Sequence, residues 1–360
     1  MKIFFKILKI TLLAIVGLIV LVCVCVWSAF GDLVKGALSV EKLDDGLYYM
    51  EYHGDDGFDD FLAQGGAKNS QEVVMYINQF LSRGYYTPPM EPDTMDYGCS
   101  ALTARTPDGN VLMGRNFDYE TATAMVLHAF PKNGYEYIST FSTDFYGFGE
   151  GWLPEGFVNQ YSSLSNLFLA LDGVNEKGFA IADLMAGDNV ETHQNTGNPA
   201  LTTTSALAYL LKKAASVDEA IALLNKIDMH SDIGAAHHYA MSDATGRSVV
   251  VEYVDNQMVV TETCAVANHY LCQQKLNAGL IFGDTRYDQL CSLYDEAQGV
   301  MDIEQLSAAV FSVAQQPWGE NIIGGTQWTA IMNLTQPSVT YYLRRNFDKP
   351  YRFELESSKR

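Results

Sequence analysis

The chain has 360 residues and carries 23 Lys and Arg against 43 Asp and Glu, a formal net charge of −20. With 48% hydrophobic and 18% charged residues it has the composition of a well-cored globular protein, not of a disordered one. A surface this acidic repels polyanions, which excludes nucleic acid as a partner.

The N-terminus differs from everything after it. Ile10 to Phe30 are 21 residues without a charge, and as a helix at ~1.5 Å per residue they span the roughly 30 Å hydrocarbon core of a bilayer. Lys2, Lys6 and Lys9 precede the stretch and Asp32 is the first charge beyond it, so the positive-inside rule puts the N-terminus in the cytoplasm and the body outside. The expectation is an uncleaved single-pass anchor over residues 1–30. A cleavable signal peptide is the competing reading, but its apolar region is usually about 7–15 residues and Trp27-Ser28-Ala29 is a poor cleavage site. Cys23 and Cys25 lack the small neighbours of a lipoprotein signal and read as apolar helix residues.

Beyond the anchor, Leu47 to Tyr52 reads as a strand, and Ser70 followed by Gln71-Glu72-Val73-Val74 opens an amphipathic helix running to about Arg83. Tyr86 to Tyr97 carries Pro88, Pro89 and Pro92 and no hydrophobic period, a linker that leads straight to Gly98-Cys99. Residues 31–98 therefore read as a pro-segment and 99–360 as the catalytic domain. Ser100 to Arg105 and Val111 to Gly114 flank Thr106-Pro107-Asp108-Gly109-Asn110, a turn whose Pro fixes one dihedral and whose Gly accepts positive φ, so Cys99 begins the first strand of a hairpin. Further strands are expected over 135–141, 178–182, 238–241, 248–253, 257–263, 326–333 and 340–344, and helices over 203–215, 217–225, 286–298 and 303–313. Mostly antiparallel strands with paired helices imply an α+β chain with two sheets between helical layers.

Outside the anchor only Cys99, Cys264, Cys272 and Cys291 remain, with no CxxC pair and no His/Cys cluster, so neither a disulfide scaffold nor a zinc site is indicated. His237-His238 has no carboxylate at ligand spacing and reads as structural or exposed. No metal and no cofactor is expected. There is no GxSxG elbow, no HExxH and no Walker A. What remains is Gly98-Cys99-Ser100 ahead of Gly114-Arg115-Asn116-Phe117-Asp118. A thiol with a pKa of about 8.5 needs a base or a positive neighbour. If the chain is cut before Cys99, the freed α-amino group, with a pKa of about 7.7–8.0, supplies that base on the same residue. Gly98 fits such a cut, being unhindered and able to take a strained conformation. The hairpin brings Arg115 and Asp118 back beside Cys99, where a guanidinium favours thiolate and a carboxylate holds the new amine. The blander readings are a buried apolar thiol and an ordinary cross-strand ion pair.

On these residues the sequence resembles the choloylglycine hydrolase family, the linear amide C-N hydrolases, which includes bile salt hydrolases, penicillin V acylases and relatives of acid ceramidase. The resemblance rests on Cys99-Ser100 and on Pro107 through Asp118. It continues through Asp172-Gly173-Val174-Asn175-Glu176-Lys177-Gly178-Phe179-Ala180, Ala267-Asn268-His269-Tyr270, Asp284-Thr285-Arg286-Tyr287 and the closing hairpin from Thr326 to Tyr342. It implies a four-layer αββα N-terminal-nucleophile hydrolase fold, here preceded by one transmembrane helix, and removal of everything before Cys99. It further implies Cys99 as nucleophile, Arg115 and Asp118 around its amino group and thiol, Asn268 as the asparagine that steadies the oxyanion, and Arg286 as an arginine near the nucleophile. The alternative for Asn268 is a loop cap.

Two departures stand out. Asp183-Leu184-Met185 occupies the stretch where bile salt hydrolases carry Gly-Leu-Asn, and a thioether is only a weak acceptor, so bile salts are in doubt as substrates. Bile salt hydrolases shed only the initiator Met, whereas this chain would shed 98 residues by autocatalysis. The expected partners are a small-molecule N-acyl amide and the membrane, with a homo-oligomer left open. Phe145, Tyr146, Phe148, Trp152, Phe157 and Tyr161 are candidates to line an acyl pocket or are core. The leading expectation is an extracytoplasmic amidase working through a thioester on Cys99. The alternatives are an acyltransferase on the same scaffold and an unprocessed, membrane-anchored protein that binds acyl ligands.

Overall fold

The computed structural model describes residues 2–84, 98–146, 151–231, 234–279, 284–317 and 324–355. In chain order the elements begin with α1 (Lys2–Leu38), β1 (Glu41–Asp44), β2 (Leu47–Gly54), α2 (Phe58–Ala63), α3 (Ser70–Leu81), β3 (Gly98–Arg105), β4 (Val111–Asp118), β5 (Ala124–Pro131) and β6 (Tyr137–Ser142). They continue with α4 (Phe157–Ser162), β7 (Asp172–Asn175), β8 (Ala180–Met185), β9 (Ala200–Thr202), α5 (Thr203–Lys213), α6 (Val217–Leu224), β10 (Asp228–His230), β11 (His237–Ser242) and β12 (Ser248–Val254). The chain closes with β13 (Gln257–Glu262), β14 (Ala265–Val266), α7 (Arg286–Glu296), α8 (Ile303–Ser312), β15 (Thr326–Asn333), β16 (Ser338–Leu343) and β17 (Tyr351–Glu354). The linker expected over 86–97 and Phe148 lie outside the described residues.

Two large sheets form the centre. One has nine strands in the order β1-β2-β5-β6-β7-β8-β11-β12-β13, the other six in the order β14-β3-β4-β15-β16-β17. They face each other where β3 lies against β8, α5 covers the far side of the larger sheet, and α7 and α8 cover the far side of the smaller. Strand alternation explains the layering. On β3, Cys99 and Ala101 join the core between the sheets, while Leu102 and Ala104 join the core under α7 and α8 with Leu290, Leu306 and Val310. On β4, Met113 and Phe117 point inward, and Gly114 faces α8 so closely that a Cβ there would stand 2.5 Å from a methyl of Val310.

The helices have sequence reasons to start where they do. Asn69, Ser216 and Asp302 each accept a backbone N–H of the first turn of α3, α6 and α8, and Gln305 completes a capping box at α8. The expected helices and hairpin are present within a few residues of their sequence bounds. β5 and β7 were not expected, and β5 pairs parallel with β2. The apolar stretch is part of a longer helix. α1 has 37 residues, roughly 55 Å at 1.5 Å per residue, and it is long and apolar enough to cross a membrane. Its last turns are not in the apolar span but in the body, where Leu33 and Ala37 are wholly buried. All six cysteines are free.

Candidate active site

The β3–β4 hairpin builds the centre of the site. Its register sets Gly98 opposite Asp118, Cys99 opposite Phe117 and Ala101 opposite Arg115. Arg115 Nη2 donates to Cys99 Sγ at 3.4 Å and to the Asp183 carbonyl at 3.1 Å. The guanidinium is fully buried, which demands a counter-charge. That charge is Asp172, whose Oδ2 is 3.3 Å from Arg115 Nε and also accepts Trp328 Nε1–H at 2.8 Å. Phe117 and Trp328, stacked on each other at 4.1 Å, present their faces to the same guanidinium at 4.8 and 5.6 Å.

Arg286, at the first position of α7, ties the other side together. Its Nη1 donates to the Cys99 carbonyl at 3.0 Å and to Asp118 Oδ2 at 2.9 Å. Its Nη2 donates to Asn268 Oδ1 at 3.0 Å and to Asp284 Oδ2 at 2.8 Å, and its Nε to Asp284 Oδ1 at 3.0 Å. Asp118 Oδ1 accepts the Thr326 hydroxyl at 2.5 Å. Asn268 Oδ1 also accepts the backbone N–H of Cys99 at 2.6 Å, while its Nδ2 donates to the Met185 carbonyl at 2.8 Å. Two donors on one side of the amide and an acceptor on the other fix which end is oxygen.

The charges respond to this packing. Burial pushes the Cys99 thiol up to about 12; Arg115 and Arg286 pull it down, and Asp118 and Asp183 push it further up. Burial also raises Asp118 against the pull of Arg286 and Thr326. Burial alone would raise Asp284 too, but the bonds and charge of Arg286 hold it below the ordinary carboxylate range.

All five residues singled out from the sequence, Cys99, Arg115, Asp118, Asn268 and Arg286, come together in this cluster. Gly98 contributes space, not strain: its φ is not positive, and an added Cβ would lie 3.3 Å from Asp118 Cβ and 3.7 Å from Asn268 Oδ1. Met185 bears on the site through its backbone carbonyl. Of the aromatic run, Phe145 packs on Phe117 and Tyr119 at 6.2 and 5.0 Å, whereas Tyr161 donates its hydroxyl to Leu81 O at 2.8 Å, against the end of α3. His237 Nδ1 lies 3.0 Å from Asp183 Oδ1, and His238 Nδ1 3.3 Å from Glu252 Oε1. Sequence reasoning assigned no part to Asp172, Thr326 and Asp284. All three stand inside the stretches that carry the resemblance, but a side chain's long-range partner is visible only once strands are paired.

Residues 99–276 match the model of the linear amide C-N hydrolases, choloylglycine hydrolase family. A curated relative is a penicillin V acylase of Pectobacterium atrosepticum, 30% identical over 100 residues, which are 25% of this chain and 26% of that protein; the match thus spans about a quarter of the relative's length. Among solved structures, a mutant of the conjugated bile acid hydrolase from Clostridium perfringens aligns with a TM-score of 0.53 at 18% identity, over 72% of this chain and 92% of its own. Penicillin V acylase from Agrobacterium tumefaciens aligns with a TM-score of 0.51 at 17% identity, over 72% of this chain and 86% of its own. The two facing sheets and their helical covers are the N-terminal-nucleophile hydrolase fold of these structures, and the chain belongs to the choloylglycine hydrolase family of linear amide C-N hydrolases.

Proposed function

We propose that the protein is a membrane-tethered cysteine hydrolase of linear N-acyl amides, acting through a thioester on Cys99 after it cuts its own Gly98–Cys99 bond. In the cut, Cys99 Sγ attacks the Gly98 carbonyl carbon and the peptide C–N bond breaks as the thioester forms, the nitrogen taking up a proton. Water then cleaves the thioester, leaving a Gly98 carboxylate, the free thiol and an α-amino group on Cys99. In turnover the thiol gives its proton to that amine and attacks the substrate carbonyl. The ammonium protonates the leaving amine, and water resolves the acyl-enzyme with the amine again as base.

The observation that carries this reading is the double hold on Cys99. Arg115 stands at the sulfur and Asn268 at the backbone nitrogen, the future base. Arg286 holds the Cys99 carbonyl, and Asp118 lies beside it. One hydrogen of Asn268 Nδ2 is taken by Met185 O, and the second, which meets no acceptor among the described residues, is the one for an oxyanion. In the uncut chain the Cys99 nitrogen is an amide and holds no proton-accepting lone pair, so the cut is the event that supplies the base for turnover. The domain reading follows: residues 1–30 as anchor, 31–98 as the piece cut away from the nucleophile and 99–360 as the catalytic body, on the outer side of the membrane.

The test is intact mass and N-terminal sequencing of the purified protein beside Cys99→Ala. A fragment beginning at Cys99 in the wild type and absent from the variant is the expected result; penicillin V and conjugated bile acids, named for the relatives, are then the first amide probes. An uncut chain in both favours the acyl-ligand-binding alternative, for which the full burial of Cys99 is the supporting observation.

A further inference from the structure

Two thiols that take no part in the cluster around Cys99 stand together at the seam between α7 and the smaller sheet. β13 ends on the edge of the nine-stranded sheet, and the chain then crosses to β14 on the edge of the other. Cys264 lies in that crossing, its carbonyl accepting the Thr103 N–H of β3 at 2.8 Å. Cys291 lies on α7, which packs on β14 and β3. We infer that Cys264 and Cys291 are a redox couple whose disulfide, formed by exchange with small disulfides outside the membrane, closes off the segment that carries Asn268, Asp284 and Arg286.

The packing brings the pair together. Both side chains lie on the core under α7 that includes Leu102, Ala265 and Leu290. The two thiols hydrogen-bond to each other. Tyr287, one turn before Cys291 on the same face of α7, donates its hydroxyl to the Cys291 sulfur and accepts from Thr263, the neighbour of Cys264. Among the described residues no third acidic, imidazole or thiol group joins them to make a metal site.

Of the six cysteines, only these two combine access with a thiol neighbour. Cys99 and Cys272 are buried, and Cys23 and Cys25 stand two residues apart on different faces of the apolar helix. Cys264 and Cys291 are both partly exposed. The bonds from Cys264 and Tyr287 hold the Cys291 thiol down to about 7, against burial and the charges of Asp295 and Asp288. Its partner Cys264, the donor in that bond, is pushed up. Cys291 is therefore the thiolate that attacks first.

The exchange balances without a cofactor. The Cys291 thiolate attacks one sulfur of a disulfide RSSR, whose S–S bond breaks to release RS⁻ and leave a mixed disulfide on Cys291. Cys264 gives up its proton and attacks the Cys291 sulfur, which forms the internal bond and releases the second RS⁻. The protein loses two electrons and two protons, and RSSR takes up both to become two RSH. An outer-side location, as proposed above, is where such disulfides persist.

The segment between the two cysteines contributes Asn268, Asp284 and Arg286 to the site. Asn268 follows Cys264 by four positions, Arg286 precedes Cys291 by five, and the two side chains meet at 3.0 Å. Arg286 in turn holds the Cys99 carbonyl and Asp118. A bond between the cysteines closes this segment at its base and removes much of the entropy it would gain on opening. The effect on turnover rests on the roles proposed above for these residues; formation of the bond does not, and it is independent of the cut before Cys99.

The experiment takes the full-length protein in detergent, equilibrated at neutral pH with glutathione disulfide or with dithiothreitol, then alkylated, digested and analysed by mass. The expected result after glutathione disulfide is a peptide pair joined through Cys264 and Cys291, two hydrogens lighter than the free peptides and absent after dithiothreitol. The oxidised form should unfold at a temperature higher by roughly 5–10 °C and exchange amide hydrogens more slowly over residues 264–291. Cys264→Ser should stop at a mixed disulfide on Cys291, Cys291→Ser should take up no glutathione at residue 264, and neither should show the redox-dependent shift. The same measurements on Cys99→Ala remove the nucleophile from the oxidation and leave the test intact if the chain does not cut itself. A wild type that carries glutathione on Cys291 without the internal bond, or both thiols fully alkylated after glutathione disulfide, overturns the proposal without any variant. So does a bridged protein that unfolds at the same temperature as the reduced one, or a shift that persists in Cys264→Ser.

Discussion

Asn268 Oδ1 accepts the backbone N–H of Cys99 at 2.6 Å, joining residues 169 positions apart, and the same oxygen accepts Arg286 Nη2–H at 3.0 Å. With Nδ2 anchored on Met185 O, the second hydrogen of the amide has no acceptor among the described residues and is the one to offer a developing oxyanion. Removing such a donor typically costs about 2.7–4 kcal/mol of transition-state stabilisation. Asn268→Ala is therefore expected to lower kcat on an amide probe by roughly 10²–10³ while changing unfolding free energy by no more than about 3 kcal/mol, the range for leaving buried partners unsatisfied. Steady-state kinetics beside denaturant melts decide it; an unchanged kcat removes Asn268 from the oxyanion role.

Two ion pairs of similar length have very different expected weights. Arg115 and Asp172 meet at 3.3 Å with both side chains fully buried, whereas Arg247 and Glu262 meet at 2.9 Å on the surface. Truncating Asp172→Ala takes the carboxylate at 3.3 Å away from a fully buried guanidinium and is expected to cost about 3–5 kcal/mol. Glu262→Ala is expected to cost about 0–1 kcal/mol, because the exposed pair is solvated and screened. Thermal melts of the two variants check the contrast, and equal losses would show that Asp172 is not what holds Arg115 at the thiol.

Glu252 secures the segment that carries Asn268. Its Oε1 accepts Leu271 N–H at 2.8 Å, its Oε2 accepts Cys272 N–H at 2.7 Å, and His238 lies 3.3 Å away. Burial alone would raise its carboxyl, but His238 and the two amides hold it below the ordinary value of 4.5. A carboxylate depressed in the folded state contributes stability that is fully present above its unfolded pKa and is lost as pH falls through the lower, folded value. Glu252→Gln is thus expected to be less stable than the wild type at pH 7 by about 1–3 kcal/mol, with the gap closing below roughly pH 4. A gap of the same size at pH 7.5 and pH 3.5 would mean that the negative charge of Glu252 is not the stabilising element.

The site was legible where its information is local. A Pro-Asp-Gly-Asn turn fixes the hairpin, and hairpin register alone sets Arg115 and Asp118 opposite the start of β3. Long-range pairing was not legible. Ala124 to Leu127 is an unbroken apolar run, because β5 is buried on both faces, and so it shows no alternation. Nothing in Leu47 to Gly54 announces that it joins that strand in parallel, since the proline-rich stretch between them reads as a division of the chain. Thr326 reads as an ordinary β-branched strand residue, and its bond to Asp118 follows only from β15 pairing with β4.

Gly98 offers the sharpest test of the cutting step. An added Cβ would stand 3.3 Å from Asp118 Cβ, 3.5 Å from Asp118 Oδ2 and 3.7 Å from Asn268 Oδ1. The first contact is tight enough that Asp118 must give by a few tenths of an ångström, and a branched side chain adds methyl groups toward the groups that hold Arg286 and the Cys99 amide. Displacements of about 1 Å in an attacking geometry can cost on the order of 10² in rate. Gly98→Ala is accordingly expected to slow self-cleavage modestly and Gly98→Val by on the order of tenfold to a hundredfold, followed as the fraction of cut chain over time on denaturing gels. Once the bond is cut, the substituted side chain belongs to the new carboxylate end of the N-terminal piece and no longer to the nucleophile's own chain, so any cut fraction should turn over an amide probe at the wild-type rate per active site. A Gly98→Val chain cut as fast as the wild type would show that the space around residue 98 does not govern the attack.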